Sequence, residues 1–361
     1  MTNLSVHLAE SGYRYPDASA LVREDTTTSY SALANDVGRF ADYLTYGGLK
    51  RGDRVGVMLP NGPEFAVVFY GVLHAGGVVV PLNPALHARA VESYLTITGA
   101  RMLFVPPRHA IANTVAAVTA GAQPVEIGSD GIASLVAGFA GRVEPVSRAA
   151  GDAAVVLPVG ETNGAHTVEL SHGELADSQA EAAELLLFLG PNDVVMGCLP
   201  MSERPGMTCG LLAAVSAGST LVLPSFDPAI DPGTALETIA AERVTVFEGV
   251  PAMYVALLDA AHHSDEDFSS LRVGVSAGGP VPADIVRRLN DRFDCVVVDA
   301  DEAIREGQDE AVDVFGQIER RLRDVHAVEH GRLEHPALRR VHHAHAIAAG
   351  RISEHDGALL D

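Results

Sequence analysis

Ser171 and His172 are adjacent residues whose types suit nucleophilic catalysis, because an imidazole beside a hydroxyl can accept its proton. Helix capping is the simpler interpretation, since Glu174 follows Ser171 by three residues and completes a capping box. We therefore predict that Ser171 begins a helix, and we assign no catalytic residue.

Histidines concentrate near the end of the chain, and clustered histidines could bind a metal ion. Seven of the 15 histidines lie between residues 326 and 355. His326 and His330 are four residues apart, a spacing that places both rings on one face of a helix. No cysteine accompanies these histidines and the nearby carboxylates are scattered. The sequence therefore favours a polar tail and predicts no bound metal.

Lysine and cysteine are both scarce, which restricts the available chemistry. Lys50 is the only lysine, and the other 24 basic residues are arginines. The three cysteines, Cys198, Cys209 and Cys295, are too widely spaced for a disulfide framework or a zinc site. Apolar residues surround Cys198 and Cys295, so we expect these two side chains to lie in the core.

Short apolar runs alternate with segments of helical periodicity from Arg54 to Val298. Unbroken apolar strands between helices are typical of parallel sheets with helices on both faces. The sequence therefore predicts an α/β fold of sandwiched parallel or mixed sheets, with subdomains at 1–150 and 151–300 and a helical, His- and Arg-rich appendage at 301–361. The predicted strands are Arg54–Leu59, Val78–Leu82, Met102–Val105, Ala153–Leu157, Val194–Leu199, Thr220–Leu223, Val244–Val250, Leu271–Val275 and Cys295–Val298, and the predicted helices are Pro63–His74, His87–Thr98, Glu174–Phe188, Ala252–Ala261 and Ala283–Arg292.

The charge balance excludes some classes of partner. With 47 acidic and 25 basic residues the formal net charge is −22. A surface this acidic repels nucleic-acid phosphates and anionic lipid, so we expect neither as a partner. No apolar run is long enough to span a membrane, and the first ten residues lack the basic and apolar regions of a signal peptide. The cytoplasm is the expected location.

Several segments carry recognisable motifs, namely Gly52–Asn61 (GDRVGVMLPN), Pro63–Phe65, Gly71–Gly77 (GVLHAGG), Val80–Pro84 (VPLNP), Glu169–His172 (ELSH), Gly206–Thr208, Val244–Tyr254 (VTVFEGVPAMY) and Leu271–Pro280 (LRVGVSAGGP). In this order and spacing they resemble the N-terminal domain of the adenylate-forming superfamily, above all its fatty-acid-type acyl-CoA synthetases. The resemblance covers residues 17–299 and implies the α/β fold of that domain. No single motif is specific, but the ordered set indicates common ancestry.

The resemblance implies an enzyme that joins a carboxylate to ATP and passes the acyl group to a thiol such as coenzyme A. In the family, a Ser/Thr/Gly-rich loop ending in Pro-Lys-Gly holds the phosphates. His166 stands here at the lysine position and Glu161 at a hydroxyl position, and a neutral imidazole and a carboxylate both weaken phosphate binding. The resemblance thus implies a degenerate nucleotide loop, with a surface loop as the alternative. The candidate nucleotide-binding residues are Gly160, Thr162, Gly164 and His166.

A second family motif, Tyr-Gly-x-Thr-Glu, stacks on adenine and supplies a glutamate linked to Mg²⁺. The resemblance places it after the strand Cys295–Val298, where this chain has Asp299–Arg305 instead. Farther on, Val314–Arg323 weakly resembles the first helix of the family's small C-terminal domain. No lysine follows Lys50 to match that domain's catalytic lysine. These differences predict that adenylation is lost.

The acyl side of the cleft matches the family better than the nucleotide side. In relatives, a Gly-Val-Pro turn and a Ser-Ala-Gly-Gly segment line the acyl channel. In this chain the alternative is that the corresponding segments are turns required only for folding. The segment Met201–Arg204 stands where relatives often carry a histidine or aromatic gate, and it does not match one. The predicted acyl-pocket residues are Gly249, Pro251, Tyr254, Ser276, Ala277, Gly278 and Gly279.

Together, these patterns predict a degenerate acyl-CoA synthetase-like protein that lacks adenylation activity. It would bind an acyl or acyl-CoA ligand, or a protein partner in a homo-oligomer or in a complex with an active ligase. The alternative is an active ATP-dependent acid–thiol ligase with unusual site residues. The first prediction requires no cofactor, whereas the second requires ATP, Mg²⁺ and coenzyme A.

Overall fold

The computed structural model describes residues 3–107, 110–128, 130–141, 144–160, 166–225 and 231–300. The predicted appendage at 301–361, including its histidines, lies outside these residues. Thr162 and Gly164 of the predicted nucleotide loop lie outside them as well. The described residues form two sheets with helices between and around them.

The strands form one seven-stranded and one six-stranded sheet. The strands are β1 (Ser19–Arg23), β2 (Thr26–Ser29), β3 (Arg54–Val57), β4 (Val78–Pro81), β5 (Met102–Val105), β6 (Gln123–Glu126), β7 (Ala153–Val159), β8 (His166–Ser171), β9 (Val194–Gly197), β10 (Thr220–Val222), β11 (Val246–Gly249), β12 (Val273–Ser276) and β13 (Val296–Asp299). Their orders are β13-β12-β11-β9-β10-β1-β2 and β6-β5-β3-β4-β7-β8. Pairing is parallel except between β1 and β2 and between β7 and β8. Both sheets take strands from either side of residue 150, and the subdivision there stays a prediction.

Several helices begin where the sequence supplies a standard start signal. The helices are α1 (Val6–Arg14), α2 (Tyr30–Tyr46), α3 (Pro63–His74), α4 (Ala88–Thr98), α5 (Ala110–Thr119), α6 (Ala133–Val136), α7 (His172–Ala180), α8 (Ala213–Ala217), α9 (Pro232–Ala241), α10 (Pro251–Ala261) and α11 (Ala283–Phe293), with π-helical segments π1 (Glu181–Leu186) and π2 (Gly206–Leu212). Proline occupies the first position of α3, α9 and α10, where its missing N–H costs no hydrogen bond. The predicted capping box of Ser171 and Glu174 is confirmed at the start of α7.

Buried apolar side chains fall into three clusters that define the layers of the fold. The largest contains side chains from both sheets together with α2, α3 and π2, so it lies between the sheets. A second cluster joins the seven-stranded sheet to α9, α10 and α11, and a third joins the six-stranded sheet to α4 and α5. Each sheet is therefore covered on both faces, and the predicted α/β fold is confirmed. All three cysteines are buried and free.

No helix among the described residues is both long enough and apolar enough to cross a membrane.

Candidate functional site

The carboxyl-terminal edges of the two sheets are joined by two asparagines from the loops after β3 and β4. The Asn61 amide donates to the carbonyl oxygen of Leu199 at 2.7 Å, and its Oδ1 accepts from the backbone N–H of Met201 at 2.9 Å. The Asn83 amide donates to Glu203 Oε1 at 3.3 Å. Ligands of open α/β sheets bind outside the carboxyl ends of the strands. These contacts therefore hold the loops at the carboxyl ends of the two sheets together, where the ligand of such a fold is expected.

The predicted nucleotide loop is the turn between β7 and β8, at this edge of the six-stranded sheet. Val159 pairs with His166 across the antiparallel hairpin, which brings Gly160 and His166 to its end. Gly160 has a φ of +84°, and its carbonyl oxygen accepts a hydrogen bond from the Tyr94 hydroxyl. His166 is exposed. The described residues thus provide the two ends of the loop, and its role in nucleotide binding stays a prediction.

Lys50 lies at the opposite edge of the six-stranded sheet. It is exposed in the turn before β3, where its backbone N–H donates to Asp53 Oδ2 at 2.8 Å. Because β3, β4 and β7 run parallel, the start of β3 and the end of β7 are at opposite edges. The only lysine of the chain is therefore roughly a strand length, about 13 Å or more, from the β7–β8 turn.

The predicted acyl-pocket turns lie side by side at the carboxyl ends of β11 and β12. Gly249 pairs with Ser276 in the parallel register, and Ala277 N–H donates to the Gly249 carbonyl oxygen at 3.0 Å. The turn continues through Gly278 and Gly279, both with positive φ and with open space where a Cβ would lie. The sequence thus brings the predicted turn residues together, with open space at Gly278 and Gly279. Their contact with an acyl group stays a prediction.

Tyr254 and Pro251 belong to the helix that follows β11. Pro251 begins α10, and Tyr254 lies one turn later, on the outer face of the sheet. The Tyr254 hydroxyl donates to the Phe247 carbonyl oxygen at 3.0 Å, and the two rings meet edge to face with centroids 5.4 Å apart. These contacts give Tyr254 a structural role in the cluster that joins the seven-stranded sheet to α9, α10 and α11.

A hydrolase nucleophile elbow was not expected from the sequence, yet Ser276 lies in a segment, Gly274–Gly278, that matches its Gly-x-Ser-x-Gly pattern. The serine of such an elbow is exposed. Ser276 is only 1% exposed, and its hydroxyl donates to the Gly279 carbonyl oxygen at 3.1 Å. This hydroxyl therefore shapes the turn, and the pattern does not indicate a nucleophile.

The Ser171–His172 pair has a structural role as well. The Ser171 hydroxyl oxygen accepts the N–H of Glu174 at 3.2 Å. His172 is buried, and its Nδ1 accepts the N–H of Leu4 at 3.1 Å. Burial, together with the neighbouring Arg148 guanidinium, lowers the pKa of His172 to about 4. The ring is therefore neutral at physiological pH and holds the N-terminal segment in place.

Glu248 is the site residue that the sequence analysis missed. It lies in the middle of the seven-stranded sheet on β11, is 0% exposed, and has no hydrogen-bond partner within the described residues for either carboxyl oxygen. Burial raises its pKa well above the usual range of a glutamate. One signal was present, since Glu248 is an acidic residue inside the otherwise apolar run Val244–Val250.

In the part of the chain that the structure describes, no three His, Cys, Asp or Glu side chains are grouped to hold a metal ion. The histidine-rich tail is outside that part.

Comparisons with known sequences lead to one family. The model of the AMP-binding enzyme family matches residues 8–300. A feruloyl-CoA synthase of Amycolatopsis sp is 33% identical over 290 residues, which are 77% of this chain and 54% of that protein. A long-chain-fatty-acid–CoA ligase of Bacillus subtilis is 27% identical over 321 residues, covering 78% of this chain and 56% of that protein. The chain thus spans little more than half the length of these relatives.

Solved structures agree with the sequence relatives. The crystal structure of apo MatB from Rhodopseudomonas palustris superimposes with a TM-score of 0.73 at 26% identity, over 82% of this chain and 59% of that one. The inhibitor-bound N-terminal domain of FACL13 from Mycobacterium tuberculosis gives a TM-score of 0.74 at 25% identity, over 83% of this chain and 75% of that domain. Motifs, layered fold and sequence relatives thus agree over residues 8–300, and the chain belongs to the AMP-binding enzyme family.

Proposed function

We propose that this chain binds an acyl ligand at the carboxyl ends of β11 and β12 and does not form an acyl adenylate. The observation that carries the proposal is the position of Lys50, at the edge of the six-stranded sheet opposite the β7–β8 turn. A triphosphate gathers several negative charges, and a fixed ammonium is the cation that this family directs at them. Lys50 is the only lysine among the 361 residues, and from the opposite edge of the sheet it does not reach the β7–β8 turn.

His166 does not replace that ammonium. It occupies the first position of β8, where the family's lysine is expected. A lysine ammonium is a permanent positive charge, whereas an imidazole is not. Losing one preorganised hydrogen-bond donor to a developing charge lowers the rate by about 10²–10³. The loss of the lysine acts in the same direction as Glu161, whose carboxylate in the same loop repels phosphate.

The acyl side supports ligand binding without ATP. Gly249 and Ser276 lie side by side at the ends of β11 and β12, and the two glycines after Ala277 have open space where a Cβ would lie. Burying an acyl chain contributes about 0.8 kcal/mol per CH₂, so measurable affinity does not require a triphosphate site. The feruloyl-CoA synthase and the fatty-acid–CoA ligase to which the chain is similar are both named for acyl substrates.

Pyrophosphate exchange tests the catalytic half of the proposal. We expect no carboxylate-dependent ATP–pyrophosphate exchange by the 361-residue chain with ferulate, benzoate or octanoate, in the presence of Mg²⁺. The matched variants are His166→Ala and His166→Lys. Exchange by the unmodified chain that disappears in His166→Ala would refute the proposal and support the active-ligase alternative. Exchange gained only in His166→Lys would identify the missing ammonium as the cause of inactivity.

Thermal shift tests the binding half. We expect octanoate, octanoyl-CoA or ferulate to raise the melting temperature and ATP with Mg²⁺ to leave it unchanged. Stabilisation by ATP but by no acyl compound would reverse the proposal. If none of these compounds has an effect, acyl binding is refuted and a protein partner becomes the function to pursue.

A further inference from the structure

Buried polar atoms without partners collect around π2. In the described part of the chain they include Thr208 Oγ1 on π2 itself, Gln179 Oε1 on α7, which packs against π2, and both carboxyl oxygens of Glu248. Buried polar groups are hydrogen-bonded in the great majority of cases, and each exception calls for an explanation. π-Helical turns are themselves rare and occur frequently at functional sites.

The space around the Glu248 carboxyl is kept open by glycine. A Cβ on Gly210 of π2 would lie 2.8 Å from Glu248 Oε2, closer than such atoms approach. On the neighbouring strand, the residue paired with Glu248 is Gly197. Glycine at position 210 therefore leaves room for the carboxyl group between π2 and the sheet. Glu248 also directly precedes Gly249, the first residue of the proposed acyl site.

The chemistry of this carboxyl group follows from its surroundings. Its titratable neighbours are Cys198 directly after β9, Cys209 on π2 and Tyr254 on α10. None of these groups carries positive charge, and burial disfavours an unpaired carboxylate. The group is therefore a neutral carboxylic acid, with one O–H donor and a carbonyl acceptor. A hydroxyl group is its complement, since it accepts one hydrogen bond and donates another.

We infer that Glu248 determines ligand specificity, and that it selects an acyl ligand carrying a hydroxyl group at the end remote from its carboxylate. This inference rests on the proposed acyl site. The ligand's apolar part lies along the turns after β11 and β12, and its hydroxyl reaches the carboxyl group of Glu248. Because π2 encloses Glu248, the ligand gains access by displacing π2, and Thr208 and Gln179 provide further partners there.

Matched pairs of acids test this inference by titration calorimetry on the 361-residue chain. The pairs are 3-phenylpropanoate with 3-(4-hydroxyphenyl)propanoate, and octanoate with 8-hydroxyoctanoate. We expect the hydroxylated member of at least one pair to bind about tenfold more tightly, the ratio that one net hydrogen bond gives. Glu248→Met should abolish this preference while the unsubstituted acid still binds, and Glu248→Gln, which can still donate and accept, should retain most of it.

Two further variants complete the test. Gly210→Ala, whose added methyl displaces Glu248 Oε2, should reduce the preference even if Glu248→Met fails to fold. Glu237→Gln, on the exposed face of α9, is the control and should change nothing. Equal binding of both members of each pair refutes the role of Glu248 and leaves the acyl site intact. Binding of neither member of either pair refutes the acyl site and this inference with it.

Discussion

Protonation of His172 should detach the N-terminal segment from the rest of the fold. Nδ1 of this ring accepts the N–H of Leu4, so it carries no proton in the folded state. Beside it, the Asn3 amide donates to the carbonyl oxygens of Leu73 and Val146, at 2.7 and 2.8 Å. A second proton on the ring would place two N–H groups face to face and a charge in a buried site near Arg148.

The size and the pH range of the effect follow from the pKa. Burial and Arg148 lower the pKa of His172 from 6.5 to about 4. At about 1.4 kcal/mol per pKa unit, the neutral ring contributes about 3 kcal/mol to the free energy of unfolding. Since the folded pKa is the lower one, the unfolded chain binds the proton first as the pH falls. The contribution is therefore complete above pH 6.5 and is lost between pH 6.5 and about 4.

Urea denaturation at pH 7.5, 6.0 and 4.5 measures this loss. The matched variant is His172→Asn, whose side-chain oxygen can accept the Leu4 N–H without titrating. The difference in unfolding free energy between the two proteins isolates His172, because the other acidic and basic groups are common to both. An exposed control, His263→Asn, should show no such change. A difference that stays constant from pH 7.5 to 4.5, or an NMR titration of His172 with a midpoint near 6.5, would refute the reasoning.

Three further outcomes are expected. Without ligand, Glu248→Met should raise the free energy of unfolding, measured by urea denaturation, by about 1–3 kcal/mol, because it removes a buried acid without hydrogen-bond partners. A destabilised variant would mean that the carboxyl group already has such partners. Asn61→Ala should lower it by about 1–3 kcal/mol, since it leaves the buried Leu199 carbonyl and the Met201 N–H without this partner; no change would remove Asn61 from the link between the sheets. Gly76→Ala should destabilise the protein in thermal unfolding, since φ is +81° and the added methyl would lie 2.7 Å from Val146, and an unchanged melting temperature would show that the turn adapts.

Strong periodicity made the parallel part of the fold predictable. The helix over Pro63–His74 has the predicted bounds, because a proline fixes its start and an apolar sequence commits it to the core. The hairpin β1–β2 could not be found in this way, because Thr26–Ser29 is polar and its position depends on β10, far along the chain. The predicted helix Glu174–Phe188 is instead the α-helix α7 followed by π1, and both segments pack against π2, a contact that local periodicity does not encode.

The candidate site was predictable only where glycine or proline fixes the backbone. Gly249, Gly278 and Gly279 stand out in the sequence, and the register of β11 and β12 brings them together. Glu248 carries an equally visible signal, an acid in an apolar strand, but its importance depends on which groups surround it. Those surroundings include Gly210, which lies 38 positions earlier in the chain, so a local reading of the sequence does not reveal them.

The pairing of β1 with β10 has a consequence for biosynthesis. Leu21 pairs with Leu221, so β1 leaves the ribosome 200 residues before its partner. At about 5–20 residues per second, the strand waits roughly 10 to 40 seconds for β10. During that time the six-stranded sheet, whose strands all end by Ser171, has been synthesised in full. β2 can pair with one edge of β1 at once, but the edge that faces β10, in the apolar segment Ala20–Val22, stays unpaired on the nascent chain. An unpaired apolar strand edge is prone to aggregation, so the emerging protein is exposed to this risk until its second sheet closes.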